Sequence, residues 1–253
     1  MSENPPVVVE ARNRKLYVTL NRPEALNAQN DEMRELLVGA IEQLETDPDL
    51  LVAIVNGAGG RAFSAGADIK EALGEPTRRI VPEHQRWQWR HFEAFRWASK
   101  PIIAAIDGYC VGGGLELANY CDVRVATEAS RFGQPEPRTI GNGPGPALHQ
   151  LARAMPLGEA LLVALTAQPM SAQRAYEVGL VQRLCPDADA LLAEADAIAD
   201  QMIQCNPDAL RTIKRVVHWG ADMTAEQAEK LALLASEATA RGRAPADWQP
   251  PDR

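Results

Sequence analysis

The stretch "GYCVGGGLELANYCDVRVATEASRFGQPE", residues 108–136, sets three consecutive glycines ahead of Glu116 and brings Glu136 twenty positions later. Glycine loses more backbone freedom on folding than any other residue, so three together imply that something must approach the main chain closely there. Just before them, "PIIAAI" (101–106) is a short, continuously apolar run of the kind that forms a strand buried on both faces. After the helical pattern that follows the glycines, "CDVRVAT" (121–127) repeats the form. Strand, glycine turn, helix and strand in this order predict an α/β layer.

The same rhythm extends outward. "VVVEARNRKLYVTLNRP" predicts a hairpin, Val7 to Val9 and Leu16 to Leu20 flanking a polar "RNRK" turn, with Pro23 closing the second strand. Met33, Leu36, Leu37, Ala40, Ile41 and Leu44 fall at helical spacing, with Asn30 or Asp31 to cap the helix and Pro48 to stop it. "LLVAIVNG" predicts another buried strand ending at Gly57. From about Pro186 the character changes to three consecutive helical patterns, punctuated by Asn206-Pro207 and Gly220. The expected organisation is an α/β core over residues 1–185 and a helical segment over 186–253.

A formal net charge of −8 repels phosphate backbones and argues against nucleic acid as a main partner. The four cysteines show no C-x-x-C or metal-like spacing, and Cys110 and Cys121 lie in apolar surroundings that suit buried thiols in a reducing compartment. The amino-terminal residues lack a basic region followed by a long apolar run, and "PIIAAI" is far too short to span a bilayer. These features predict a cytoplasmic protein without a membrane segment.

Two loops rich in small residues follow predicted strands: "AFSAGADIKE" (62–71) after "LLVAIVNG", and "GYCVGGGLELA" (108–118) after "PIIAAI". Each leads into a helix whose first N–H groups have no intrahelical acceptor. Two such loops facing each other could aim two donors at one oxygen, as an oxyanion hole does. A dinucleotide loop does not fit, because Leu117 stands where a third glycine is needed and no acidic residue ends the next strand. Close packing of helix on sheet remains the alternative reason for the glycines.

"LNRPEALNAQN" (20–30), "AFSAGADIKE", "GYCVGGGLELANYCDVRVAT" and "FGQPE" (132–136) together resemble the crotonase, or enoyl-CoA hydratase, superfamily in order and spacing, over most of residues 7–185. The resemblance implies a spiral core of repeated ββα units, a C-terminal helical trimerisation segment, and a homotrimer or dimer of trimers. It implies an acyl-CoA thioester as substrate, with coenzyme A part of that substrate, no separate cofactor and no metal. It places the two oxyanion N–H groups on Ala67 and Gly113. In the same likeness Glu116 takes a proton from the water that attacks Cβ, and Glu136 gives one to Cα. Ala25 and the backbone of Ala65, Asp68 and Ile69 would meet coenzyme A, with Lys70 as a phosphate partner and Arg22 a weaker one.

Trp89, Phe92 and Phe95 in "HQRWQWRHFEAFRWASK" (84–100) share a helical face that reads as core or subunit interface; by its position the helix resembles one that lines an acyl tunnel. His84 and His91, seven apart, read as satisfied or solvated histidines, since no third ligand accompanies them. Two segments depart from the family pattern: the turn "PRTIGNGPGPALHQL" after Glu136 and the short terminus "SEATARGRAPADWQPPDR". They motivate two alternatives to a hydratase. One is another crotonase-type reaction (isomerase, decarboxylase, or hydratase-lyase on an aromatic acyl-CoA), and the other is a non-catalytic acyl-CoA binder.

Overall fold

Strands β1 (Val7–Arg12) and β2 (Lys15–Leu20) pair antiparallel around Asn13 and Arg14. Both turn residues take left-handed backbone, φ 50° and 63°, the twist that matches two flanking strands. The computed structural model describes residues 5–74, 89–139, 145 and 147–241. Helix α1 (Asp31–Thr46) then carries the chain to β3 (Val52–Gly57), which lies parallel to β2. Its start is fixed by Asn30, whose side chain accepts the Met33 amide at 3.0 Å.

Parallel pairing continues through β5 (Ile102–Ile106), β7 (Val123–Thr127) and β10 (Arg183–Cys185), giving the order β1-β2-β3-β5-β7-β10. Every residue of β5 is buried, because the strand is covered on both faces. Ile102, Ala104 and Ile106 face a core shared with Leu37, Ile41 and Leu44 of α1 and with Phe92 and Phe95 of α3 (Arg90–Trp97). Ile103 and Ala105 face the other way, onto Leu191, Ala195 and Ala199 of α9 (Ala188–Ile203). Helix α9 lies beyond the boundary drawn from composition, yet it supplies the second cover of the central sheet. Trp89 stacks on Phe92 with ring centroids 5.7 Å apart, so this aromatic face is core; Trp97 is exposed, while Trp87 and His84 lie outside the described residues.

A second, smaller sheet positions the site. Strands β4 (Ala62–Ser64), β6 (Tyr109–Val111) and β8 (Arg131–Gly133) run parallel, and β9 (Met170–Ser171) pairs antiparallel with β8. Each long strand thus feeds a short one and then a helix: β3 to β4 to α2 (Ile69–Gly74), β5 to β6 to α4 (Gly113–Asn119), β7 to β8 to α5 (Glu136–Thr139). This is the expected repeated ββα unit. The two loops follow β4 and β6 of the small sheet rather than β3 and β5 directly, since a strand of three residues is too short to show a period.

After α6 (Leu151–Ala154), α7 (Leu157–Thr166) and α8 (Ala172–Glu177), the described residues continue through α9, α10 (Pro207–Gly220) and α11 (Ala225–Arg241). Asn206 caps α10 by accepting the Asp208 and Ala209 amides. Lys214 docks that helix onto the core through Asp122 at 2.8 Å and the Lys100 carbonyl at 2.9 Å. Among the described residues no helix is long and apolar enough to cross a membrane.

Candidate active site

Adjacent parallel strands end on the same side of a sheet, so the loops after β4, β6 and β8 converge. The first loop is pinned by Gln29, whose amide donates to the Gly66 carbonyl at 2.7 Å and whose carbonyl accepts the Asp68 amide at 3.2 Å. Those bonds bracket Ala67 and turn its N–H to the opposite side. Neither the Ala67 N–H nor the Gly113 N–H donates to an acceptor among the described residues.

Each glycine of the triplet answers a different demand. Gly112 has φ 53°, and a methyl group there would stand 2.6 Å from the Glu136 carboxylate. A methyl on Gly113 would lie 3.5 Å from the Ala67 nitrogen, from the Gly66 Cα and from Gln29 Oε1. At Gly114 the helix presses on β4, and a methyl would collide with the Ser64 carbonyl oxygen and side chain. Gly114→Ala is therefore expected to lower stability by about 1–3 kcal/mol, as overpacking does. Thermal unfolding measures it; an unchanged Tm would contradict the contact.

Glu116 projects from the first turn of α4 into the core and is 1% exposed. Neither carboxylate oxygen has a hydrogen-bond partner among the described residues. The nearby Gly145 and Ala147 amides favour the anion weakly without completing hydrogen bonds to it. Gly145 abuts the carboxylate so closely that any side chain there would collide with it. Burial, reinforced by the negative charge of Glu136, pushes the Glu116 carboxyl up to about 8. Glu136 opens α5 and is also raised by burial. With its amide nitrogen turned toward Glu136, Gln134 donates to the two carboxylate oxygens at 2.9 and 3.2 Å.

A carboxyl raised from 4.5 to about 8 binds its proton more tightly in the folded chain than in the unfolded one. Stability should then fall as pH climbs between those two values, because unfolding releases the anion to water. At about 1.4 kcal/mol per unit the effect is on the order of a few kcal/mol. Glu116→Gln is expected to raise Tm relative to the parent at pH 8 and to change it little at pH 4. Parallel Tm curves for the two chains across that range would contradict this burial.

The residues expected at coenzyme A lie along one rim beside Ala67. Ala25 ends a 3-10 turn, Pro23–Ala25, and Ala65 donates its amide to the adjoining Leu26 carbonyl at 2.9 Å. Ile69 and Lys70 are exposed at the start of α2. The Asp68 side chain is already occupied: it accepts the Lys70 and Glu71 amides and pairs with Arg22 at 2.8 Å. Burial works to raise its carboxyl, but Arg22 and those amides hold it below the ordinary value. Arg22 is likewise committed, to Asp68 and to the Ala28 carbonyl at 2.6 Å.

Sequence reasoning passed over Gln29, which reaches both loops. Its Nε2 donates to the Gly113 carbonyl at 3.2 Å, and its Oε1 meets His91 Nε2 at 3.2 Å. His91 is fully buried rather than solvated, with Nε2 against Gln29. The only signal in the sequence was a polar side chain inside "NAQN", ahead of a helix.

Two amides that donate to no described acceptor, beside the buried Glu116 and the half-buried Glu136 on a scaffold of ββα units, define a crotonase-type protein. The chain belongs to the enoyl-CoA hydratase/isomerase family, whose model matches residues 10–241. It is 35% identical over 236 residues to the 2,3-dehydroadipyl-CoA hydratase of Escherichia coli K12, covering 93% of this chain and 87% of that one. It is 34% identical over 217 residues to the short-chain-enoyl-CoA hydratase of Clostridium acetobutylicum, covering 85% and 81%. Among solved structures, an enoyl-CoA hydratase from Bacillus anthracis superposes with a TM-score of 0.88 at 29% identity, covering 94% of this chain and 92% of that one.

Proposed function

We propose that the protein is an enoyl-CoA hydratase, a lyase that adds water reversibly across the 2,3 double bond of a 2-enoyl-CoA thioester. The observation that carries this is the convergence, after β4, β6 and β8, of two unpaired amides with Glu116 and Glu136. Attack of water on Cβ moves electrons onto the thioester oxygen. Donors fixed on that oxygen favour the enolate-like transition state over the ground state, each contributing about 3–4 kcal/mol.

The carboxylate pair shares one proton near neutral pH. Burial raises both carboxyls, and the deeper burial of Glu116 favours the shared proton there. That is the state in which hydration ends: Glu116 has taken the proton of water, and Glu136 has given its own to Cα. It is also the state in which dehydration of a 3-hydroxyacyl thioester begins. For the next hydration the proton returns to Glu136 by way of an incoming water.

Coenzyme A is bound by the Ala25, Ala65, Asp68, Ile69 and Lys70 rim, mainly through backbone, since the Asp68 carboxylate is engaged. No separate cofactor enters this chemistry. A trimer or dimer of trimers fits the exposed apolar side chains of Ile213, Val217, Leu233 and Leu234 on α10 and α11, which a second copy would cover. Buried free thiols suit the cytoplasm. Residues 140–144 and 146 of the turn and 242–253 of the terminus lie outside the described residues. The test is direct: purified protein should bleach the enoyl-thioester absorbance of crotonyl-CoA and form the 3-hydroxy product. Binding without product across a series of enoyl-CoAs would overturn the assignment.

A further inference from the structure

The two amides of the proposed oxyanion hole belong to different loops, which leave the paired strands β4 and β6 and pack on each other at Gly66 and Gly113; a residue bonded to both loops would add a tie between them. The described contacts point to one residue. Gln29 is 1% exposed and lies just ahead of α1. Its main chain brackets Ala67 through the Gly66 carbonyl and the Asp68 amide. Its side chain reaches across to the Gly113 carbonyl, and Oε1 lies 3.5 Å from where a Cβ on Gly113 would stand. The far end of that amide is held by His91 Nε2. Since Nε2 of Gln29 donates to a carbonyl, Oε1 is the acceptor and His91 the donor.

We propose that Gln29, anchored by His91, is the positioning residue that sets the distance between the Ala67 and Gly113 amides. The inference rests on the hydratase reading, because it gives those amides a common target. Gln29 is buried and acts on the hole through the two loops it bonds. A leucine fills nearly the same volume but can bond neither Gly113 nor His91. The β6–α4 loop then keeps its packing through Gly114 and loses the tie that registers Gly113 against Ala67. A displacement of about 1 Å in a catalytic group costs on the order of 10²-fold in rate.

The test compares the parent with Gln29→Leu, each also carrying Glu136→Gln so that a bound enoyl thioester is not consumed. The probe is cinnamoyl-CoA, whose absorption moves to longer wavelength when donors polarise its carbonyl. The parent should show this shift and Gln29→Leu should lose most of it. In the otherwise native chain, kcat on crotonyl-CoA should fall about 10²-fold with KM little changed, because the lost interaction strengthens in the transition state. A merely structural glutamine would lower Tm and leave the bound spectrum and the kcat-to-KM split as in the parent; that result overturns the proposal. Should Gln29→Leu not fold, His91→Phe carries the same comparison, and His91→Gln, which restores a donor, should recover part of the shift. A parent that binds cinnamoyl-CoA with no shift would instead strike at the hydratase reading itself, which separates the two failures.

Discussion

Glu136→Gln lowers kcat for hydration by about 10²–10⁴-fold, the range that a lost general acid–base group commands, while the chain stays folded. Glutamine keeps the shape of the side chain but can neither give a proton to Cα nor take one back. The substitution also ends the mutual repulsion of the two carboxylates, so the Glu116 carboxyl should drop from about 8, with burial alone still holding it high. Glu116→Gln should cost a comparable factor, since the water that attacks Cβ then has no base. The double variant should be no slower than the poorer single one, because both groups act in one proton transfer sequence. Steady-state rates on crotonyl-CoA check all three. Turnover by Glu136→Gln equal to the parent's would remove that residue from the chemistry.

Gly113→Ala is the second large effect, and it separates chemistry from packing inside one triplet of glycines. A methyl at 113 makes only an ordinary contact with the Ala67 nitrogen at 3.5 Å, so the chain should fold with little change in Tm. A thioester oxygen bonded to both amides must also approach the Ala67 nitrogen, where this methyl would crowd it. Loss of an oxyanion donor costs about 10²–10³-fold in kcat, and crowding that approach should cost at least that. The neighbouring Gly114→Ala should do the reverse, lowering Tm through the Ser64 collision. Equal activity for Gly113→Ala and the parent would show that the carbonyl sits elsewhere.

Much of this was legible in the sequence because it depends on short, local patterns. Continuous apolar runs marked β3 and β5, helical spacing with Asn30 marked α1, and the glycine triplet ahead of Glu116 marked the second loop. The small sheet was not legible: β4, β6 and β8 are three residues each, too short for any periodicity, although they are what bring the loops together. Nor was the role of Gln29, since its partners Gly66, Gly113 and His91 lie 37, 84 and 62 positions away in the chain. Equally hidden was the commitment of the Asp68 carboxylate to Arg22 and to the start of α2, which leaves only the backbone of that residue for the expected coenzyme contact. Charge pairing of that kind leaves no mark in spacing.

The most direct measurement of the central claim is a crystal structure of the Glu136→Gln chain with a bound 3-hydroxyacyl-CoA. The thioester oxygen should lie about 2.7–3.1 Å from both the Ala67 and the Gly113 nitrogens, with the 3-hydroxyl against Glu116. A thioester oxygen that meets neither nitrogen, or a hydroxyl remote from Glu116, would contradict it.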